Sequence, residues 1–355
     1  MKIIDSHIHV HSFYDKNGQS CIEWMNEYQS KHCEAANVCA LSHGAYVAGN
    51  CTAAENIRAA LIKANCKGAF AYAGLVYPSY PVRPAEMPEG FDSLTQYREL
   101  LELGFDGFKS FENKPSSINA IDLPICDPYY DAFYAEAEKD GTHMVWHVAD
   151  PEENWKPSYL KHGNPAWYCG EGRCIPWEEI YRRVYNVLDR YPRLNITFAH
   201  FFFLSEKPEQ LEALFAKYPN VSIDLTPGTE LYTVFDRNRD FYRDFIIRHA
   251  DRIVYGTDCS FHWSVSENND TLAPAVRNFV LTDKLVDHIW GVKLRGFAFP
   301  EDVAEKLLSA NFLKNHTEPK PINRAALSRY IEKYAPTIKD DEEREQTLAF
   351  AERYL

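Results

Sequence analysis

Eight times between residues 3 and 258, a short and nearly continuous apolar run gives way to a segment of helical period. The runs fall at 3–10, 38–45, 67–76, 105–111, 142–149, 195–202, 221–225 and 252–258. Helices are expected at 21–37, 53–64, 94–103, 129–139, 178–191, 207–218 and 241–250, with Gly104 as a stop signal just past the third. Strands that are apolar throughout are buried on both faces, the condition of parallel strands covered by helices. Eight such units in about 260 residues match a closed (β/α)8 barrel better than an open sheet. The rest of the chain is expected to be helical, at 301–314, at 325–334 and from 342 onward. It reads as a single α/β domain, a TIM barrel over 1–315 with extra C-terminal helices over 316–355 packed on its outside.

Composition narrows the partners. With 38 basic and 51 acidic residues the chain carries a net charge of -13, which argues against nucleic acid, since that surface needs clustered Lys and Arg. No apolar run approaches the length that crosses a bilayer, and the first strand starts too early to leave room for a signal peptide. A cytoplasmic protein with a small-molecule substrate, and with neither nucleic acid nor membrane as partner, is expected. Aromatic-rich loops and tail helices suit a homodimer. Nine cysteines, scattered and odd in number, fit reduced thiols better than a disulfide framework. Cys169 and Cys174 share one loop and can pair or bind metal.

The polar residues concentrate where such a barrel keeps its active site, at the C-terminal ends of the strands. The first strand runs into Asp5-x-His7-x-His9, and alternation along a strand sends Asp5, His7 and His9 to one face. The fifth run ends in His147, the sixth in His200, and the eighth in Gly256-Thr257-Asp258. One histidine at a strand end is more often a satisfied core residue. Four imidazoles and a carboxylate at one end of one barrel describe a divalent transition-metal site.

These residues resemble the amidohydrolase superfamily, in particular the family 2 branch that includes aminocarboxymuconate-semialdehyde decarboxylase. The resemblance rests on Asp5-x-His7-x-His9, Gly104-Phe105-Asp106-Gly107-Phe108-Lys109, the strand-end His147 and His200, and Gly256-Thr257-Asp258. It extends through Pro300-Glu301-Asp302-Val303 to Asn311, and so over nearly the whole chain. It implies that His7, His9 and His147 ligate a metal. Asp258 would be a further ligand or the proton acceptor, and His200 a ligand or an acid/base beside the substrate. One divalent ion is expected, Zn first, with Mn, Fe or Co also accommodated.

The leading reading is a hydrolase of an amide, lactone or ester, because a bound ion lowers the pKa of water from about 15.7 towards about 7 and polarises a carbonyl. Asp258 would take the proton and pass it to the leaving group. The alternative is a non-oxidative decarboxylase, a lyase on the same scaffold, favoured by a Lys or Arg ready for a carboxylate. Nucleases and phosphoesterases that open with His-x-His fit the charge less well, and a barrel that binds without turnover fits the intact strand ends less well. Lys109 has three readings: a carbamylated bridge between two metals, a carboxylate-binding cation, or an ion-pair partner of Asp106 or Glu112. Trp155 and Arg173, in the long segment after the fifth strand, are expected to touch substrate, while the turn after the seventh strand is only a weak signal that Glu230 faces the site. His11 and His43 are read as turn residues.

Overall fold

The computed structural model describes residues 1–41, 52–228, 230–263 and 269–355, without the side chain of His288. His43 and Thr229 lie outside the described residues. Eight runs of parallel strand form the barrel wall: β1 (Ile4–Val10), β2 (Ala35–Cys39), β3 (Ala69–Ala73), β4 (Gly107–Asn113), β5 (His143–Val148), β6 (Asn195–Phe198), β7 (Val221–Asp224), and an eighth broken into β8 (Ile253–Val254) and β9 (Cys259–Phe261). In the sheet β8 pairs with β7, and β9 pairs with β1. Between them Ser6 N donates to Tyr255 O and Asp258 N donates to His7 O. The two halves of this last stave therefore close the barrel.

Two expectations shift at β1 and β2. The helix α1 (Cys21–His32), capped by a Ser20–Glu23 box, stops at extended Cys33 rather than running to 37. Residues 35–37 join β2 instead, since pairing to both neighbours outweighs a local apolar period that suits helix and strand alike. Strict alternation along β1 also fails. A register irregularity between Asp5 and Ile8 breaks it, so Ile4 packs in the barrel interior, whereas Asp5 turns towards α1. There its carboxylate accepts from Tyr28 Oη and Thr257 Oγ1, both at 2.6 Å, and from Thr257 N at 3.1 Å. Asp5 fastens the broken eighth stave to β1 and does not share the direction of His7 and His9. Burial pushes its carboxyl up to about 6, against the pull of those hydrogen bonds.

Inside the barrel Ile4, Phe70, Tyr72, Val145, Val254 and Phe312 form a compact core. Phe312, brought under the barrel by the closing helix, meets Phe70 edge to face at 5.0 Å. A thicker apolar layer joins the strands to the helices outside. The remainder is not wholly helical. Residues Leu285–Ile289 and Val292–Arg295 form an antiparallel hairpin. Its two-residue turn has positive φ at both Trp290 and Gly291, the form that matches strand twist. The extension does supply two long helices, Arg324–Tyr334 and Asp341–Tyr354. The last of these packs on α2 (Thr52–Asn65), where Arg58 meets Glu343 at 3.2 Å. Cys169 and Cys174 form a disulfide, so the reading of all thiols as reduced fails at this one loop.

Candidate active site

At the C-terminal ends of the strands lies a cavity of about 1000 Å³, lined among others by His9, Lys114, His147, Asp150, His200 and Asp258. Its floor is built on strained backbone. Ala149 after β5, all of His200–Phe203 after β6, and Asp258 in the broken stave have positive φ. For residues other than glycine each such conformation costs on the order of 1–3 kcal/mol and gathers at functional sites. It also explains why β6 ends at Phe198 rather than 202. The chain turns there and presents His200.

His7, His9 and Asp258 form a cluster whose ligating atoms lie within 4.8 Å of one another. The Nε2 atoms of His7 and His9 are 3.2 Å apart, and Asp258 Oδ1 lies 3.2 Å from His9 Nε2 and 3.9 Å from His7 Nε2. The opposite ring nitrogens face acceptors: His7 Nδ1 the Asp224 carboxylate at 2.9 Å, and His9 Nδ1 the Cys39 carbonyl at 2.7 Å. Both Nδ1 atoms must therefore carry protons. That leaves two Nε2 lone pairs and a carboxylate gathered at one point, with the Lys109 ammonium near only one of them, His7 Nε2, and a shared metal cation would meet all three. Ligands bound at about 2.1 Å around one tetrahedral ion stand roughly 3.4 Å apart, close to the observed spacings. The donor set fits a divalent metal.

Of the other predicted site residues, Lys109 is buried with Nζ 2.8 Å from His7 Nε2. Burial depresses its ammonium below the usual lysine range. His147 is in the cavity but outside the three-residue cluster. Its Nε2 turns to the Ala149 carbonyl at 3.0 Å and to Asp150 Oδ1 at 3.4 Å. His200 meets His147 edge to face, with ring centroids 4.8 Å apart, and its Nδ1 faces the Pro227 carbonyl at 3.0 Å. Burial pushes His200 down to about 4 and holds His7 and His147 well below the usual imidazole range, so all three rings enter the site neutral. Asp258 goes the other way. Burial alone would raise its carboxyl, but the histidines gathered around it, His9 first, hold it well below the usual range.

Trp155 and Arg173 are corrections. The segment after β5 folds as short turns at Glu152–Trp155, Pro157–Lys161 and Pro165–Trp167, with the Cys169–Cys174 bridge beyond them. Its inner side offers Asn154 and Trp167 to the cavity. Trp155 instead donates to the Ile175 carbonyl, and exposed Arg173 lies over the Tyr168 ring.

Sequence reasoning missed Asp224, the carboxylate that orients His7; its signal was a lone acid closing the apolar run of β7. It also missed Lys114, which is buried, 2.5 Å from Asp150 Oδ1 and 3.5 Å from His147 Nε2. His11, set aside as a turn residue, lines the cavity and pairs with buried Glu55 at 2.7 Å. Glu230 is absent from the lining among the described residues.

A family model described as Amidohydrolase matches residues 4–311. No curated protein matches the sequence. Among solved structures, an uncharacterised TIM-barrel protein from Bordetella bronchiseptica aligns with a TM-score of 0.54 at 15% identity, over 89% of this chain and 99% of that one. A 2,6-dihydroxybenzoate decarboxylase from Rhizobium aligns at 0.52 and 16% identity, over 88% and 98%. A dihydroxybenzoic acid decarboxylase from Polaromonas sp. JS666, with bound manganese and the inhibitor 2-nitroresorcinol, aligns at 0.52 and 15%, over 88% and 96%. At such identities these likenesses establish the barrel.

Proposed function

The chain belongs to the amidohydrolase family, and from that premise we propose that it is a metal-dependent carboxy-lyase, releasing carbon dioxide from a small carboxylic acid without an oxidant. The observation that carries this reading is Lys114, a buried ammonium in the cavity wall beside His147, within reach of a substrate carboxylate. The decarboxylases among the structural neighbours support the same choice. His7, His9 and Asp258 would hold the ion, with His147 completing the shell after its ring turns from the Ala149 carbonyl. The ion, when bound, supplies a Lewis acid that holds substrate oxygens and draws electron density away from the breaking bond.

The chain's own residues supply the rest. Lys114 and Lys109 offset the substrate's negative charge, and the Asp224 carboxylate keeps His7 in the tautomer that leaves Nε2 free. Phe111, Phe203 and Trp167 form an apolar wall, a setting in which charge interactions strengthen. When the carbon–carboxylate bond breaks, its electron pair stays on carbon and must receive a proton. That proton must come from solvent water in the cavity, and Asp258 and His200 line the cavity where they would relay it.

A hydrolase remains the second reading, favoured by one observation: Asp258 is held ionised, as a group that takes a proton from water must be. The two separate in one assay. Manganese- or zinc-loaded protein is given 2,6-dihydroxybenzoate and a panel of aromatic and unsaturated acids, alongside amides, lactones and esters. Metal-dependent carbon dioxide release, lost in Asp258→Asn, is expected. Cleavage of an amide, lactone or ester with no carbon dioxide from any acid would replace the lyase by the hydrolase.

A further inference from the structure

The family match ends at residue 311, yet the active-site cavity does not. Its lining includes Asp340, Glu342, Glu343 and Gln346, from the cap and first turns of the last helix, facing Arg58 of α2 and Ser12 beyond β1. A cavity of about 1000 Å³ stands at the upper end of the range for small-molecule sites, roughly 300–1000 Å³. A substrate consisting only of the group held at the cluster would leave much of it empty.

The wall formed by α2 and the last helix has unmet hydrogen-bonding capacity. Arg58 is 1% exposed and stacks over Phe13 at 4.8 Å. It spends Nε on the Val10 carbonyl at 3.3 Å and Nη1 on Glu343 Oε1 at 3.2 Å, which leaves Nη2 without a partner among the described residues. Glu343 Oε2 and Ser12 Oγ are likewise buried and unmatched. A buried donor and a buried acceptor left open on one cavity wall are costly alone and are both met by a single group that accepts and donates. Charge narrows the choice. Arg58 is already paired with Glu343, with buried Glu55 near it and Asp340 and Glu342 on the same lining, which disfavours a second anion, while the open Arg58 N–H disfavours a cation.

We infer that Arg58, Glu343 and Ser12 form a second polar subsite of the cavity, which takes an uncharged donor–acceptor group, a carboxamide or hydroxyl, at the far end of the substrate. The inference rests on the proposed reading, in which the near end of the substrate is a carboxylate held at the metal cluster. The C-terminal helix then selects substrates as well as packing on the barrel.

The test is calorimetric binding of four six-carbon probes to the full-length, manganese-loaded chain: adipamate, adipate, 6-aminohexanoate and hexanoate, with their five-carbon homologues as a second length. Adipamate or its homologue is expected to bind about tenfold more tightly than the diacid, amino acid or plain acid of equal length, since a site built for hydrogen bonds rejects groups that leave them unmade. Arg58→Gln should remove most of the amide's advantage, and Glu343→Gln should lift the diacid towards it. The wild-type ranking decides the matter even where a variant melts early. Equal or tighter binding of the diacid, or no preference at either length, overturns the subsite. If hexanoate binds only with metal and the amide gains nothing, this inference alone fails. If no acid binds in a metal-dependent way, the reading of the carboxylate end fails and takes the subsite with it.

Discussion

The two ends of this barrel hold the same kinds of residue in opposite states. At the N-terminal end His143, which begins β5, has Nδ1 on Tyr72 Oη and Nε2 on Thr197 Oγ1 at 2.9 Å. Tyr72 Oη also meets His316 Nε2 at 2.6 Å. Asp106 beside them accepts from Lys63 Nζ at 2.5 Å, Ala71 N at 3.0 Å and Lys320 N at 2.9 Å. Each of these groups has a partner. At the C-terminal end the Nε2 atoms of His7 and His9 crowd each other and Asp258, with Lys109 Nζ beside His7 alone, on backbone that is strained nearby. A buried histidine is therefore uninformative by itself; what separates structure from chemistry is whether its nitrogens are satisfied.

Four substitutions test that contrast, from the largest effect to the smallest. His7→Ala should reduce the bound metal from about one equivalent to almost none and, because the ion carries the chemistry, lower turnover by about a thousandfold or more. Plasma mass spectrometry and a rate assay read both, and full metal content in the variant would break the assignment of the cluster. Asp224→Asn keeps the shape but gives His7 Nδ1 a weaker acceptor. Loss of the orienting carboxylate behind a metal-bound histidine costs about 10–100-fold in metal affinity or activity. An unchanged metal dissociation constant would make Asp224 a packing residue only.

At the other end His143→Phe should act on stability alone. It strands Thr197 Oγ1 and leaves Tyr72 Oη with His316 alone, at about 1–3 kcal/mol for a group left without a partner, with activity per folded molecule unchanged. A large fall in activity at equal folded fraction would erase the distinction between the ends. The smallest effect concerns Glu230, an acid near the cavity end whose Oε2 is unmatched and whose other oxygen accepts from Ser205 at 3.2 Å. Burial pushes its carboxyl from 4.5 up to about 7. The folded chain thus holds this proton more tightly than the unfolded one, and the resulting stability is full below about pH 4.5 and lost as pH rises through about 7. Glu230→Gln, neutral at every pH, should gain on the wild type at pH 8 relative to pH 5, by on the order of 1 kcal/mol. Melting curves at the two pH values with the same difference would remove Glu230 as the cause.

Much of the site was legible because metal chemistry restricts residue types. His7, His9 and Asp258 stood out as polar groups ending apolar runs, and the structure brings them together. His147 and His200 reach the same cavity, but their rings are committed to the Ala149 and Pro227 carbonyls. No spacing rule could foretell that, since it depends on positive-φ turns after β5 and β6. Lys114 and Asp224 were hidden for the opposite reason: a single Lys before a helix, or a single Asp after a strand, is common in any chain.

The sequence by itself determined the barrel, because eight doubly apolar strands separated by helices have few other ways to bury both faces. It also gathered the candidate metal ligands His7, His9 and Asp258 at the strand ends, where the structure brings them together. Only the tertiary structure decided that Asp5 braces rather than ligates, that Trp167 rather than Trp155 meets the cavity, and that the last helix walls it. These turn on a one-residue irregularity in β1, on how a long loop folds back, and on a contact between Arg58 and Glu343, 285 positions apart. Local pattern records which faces must be buried; it does not record which distant surface buries them.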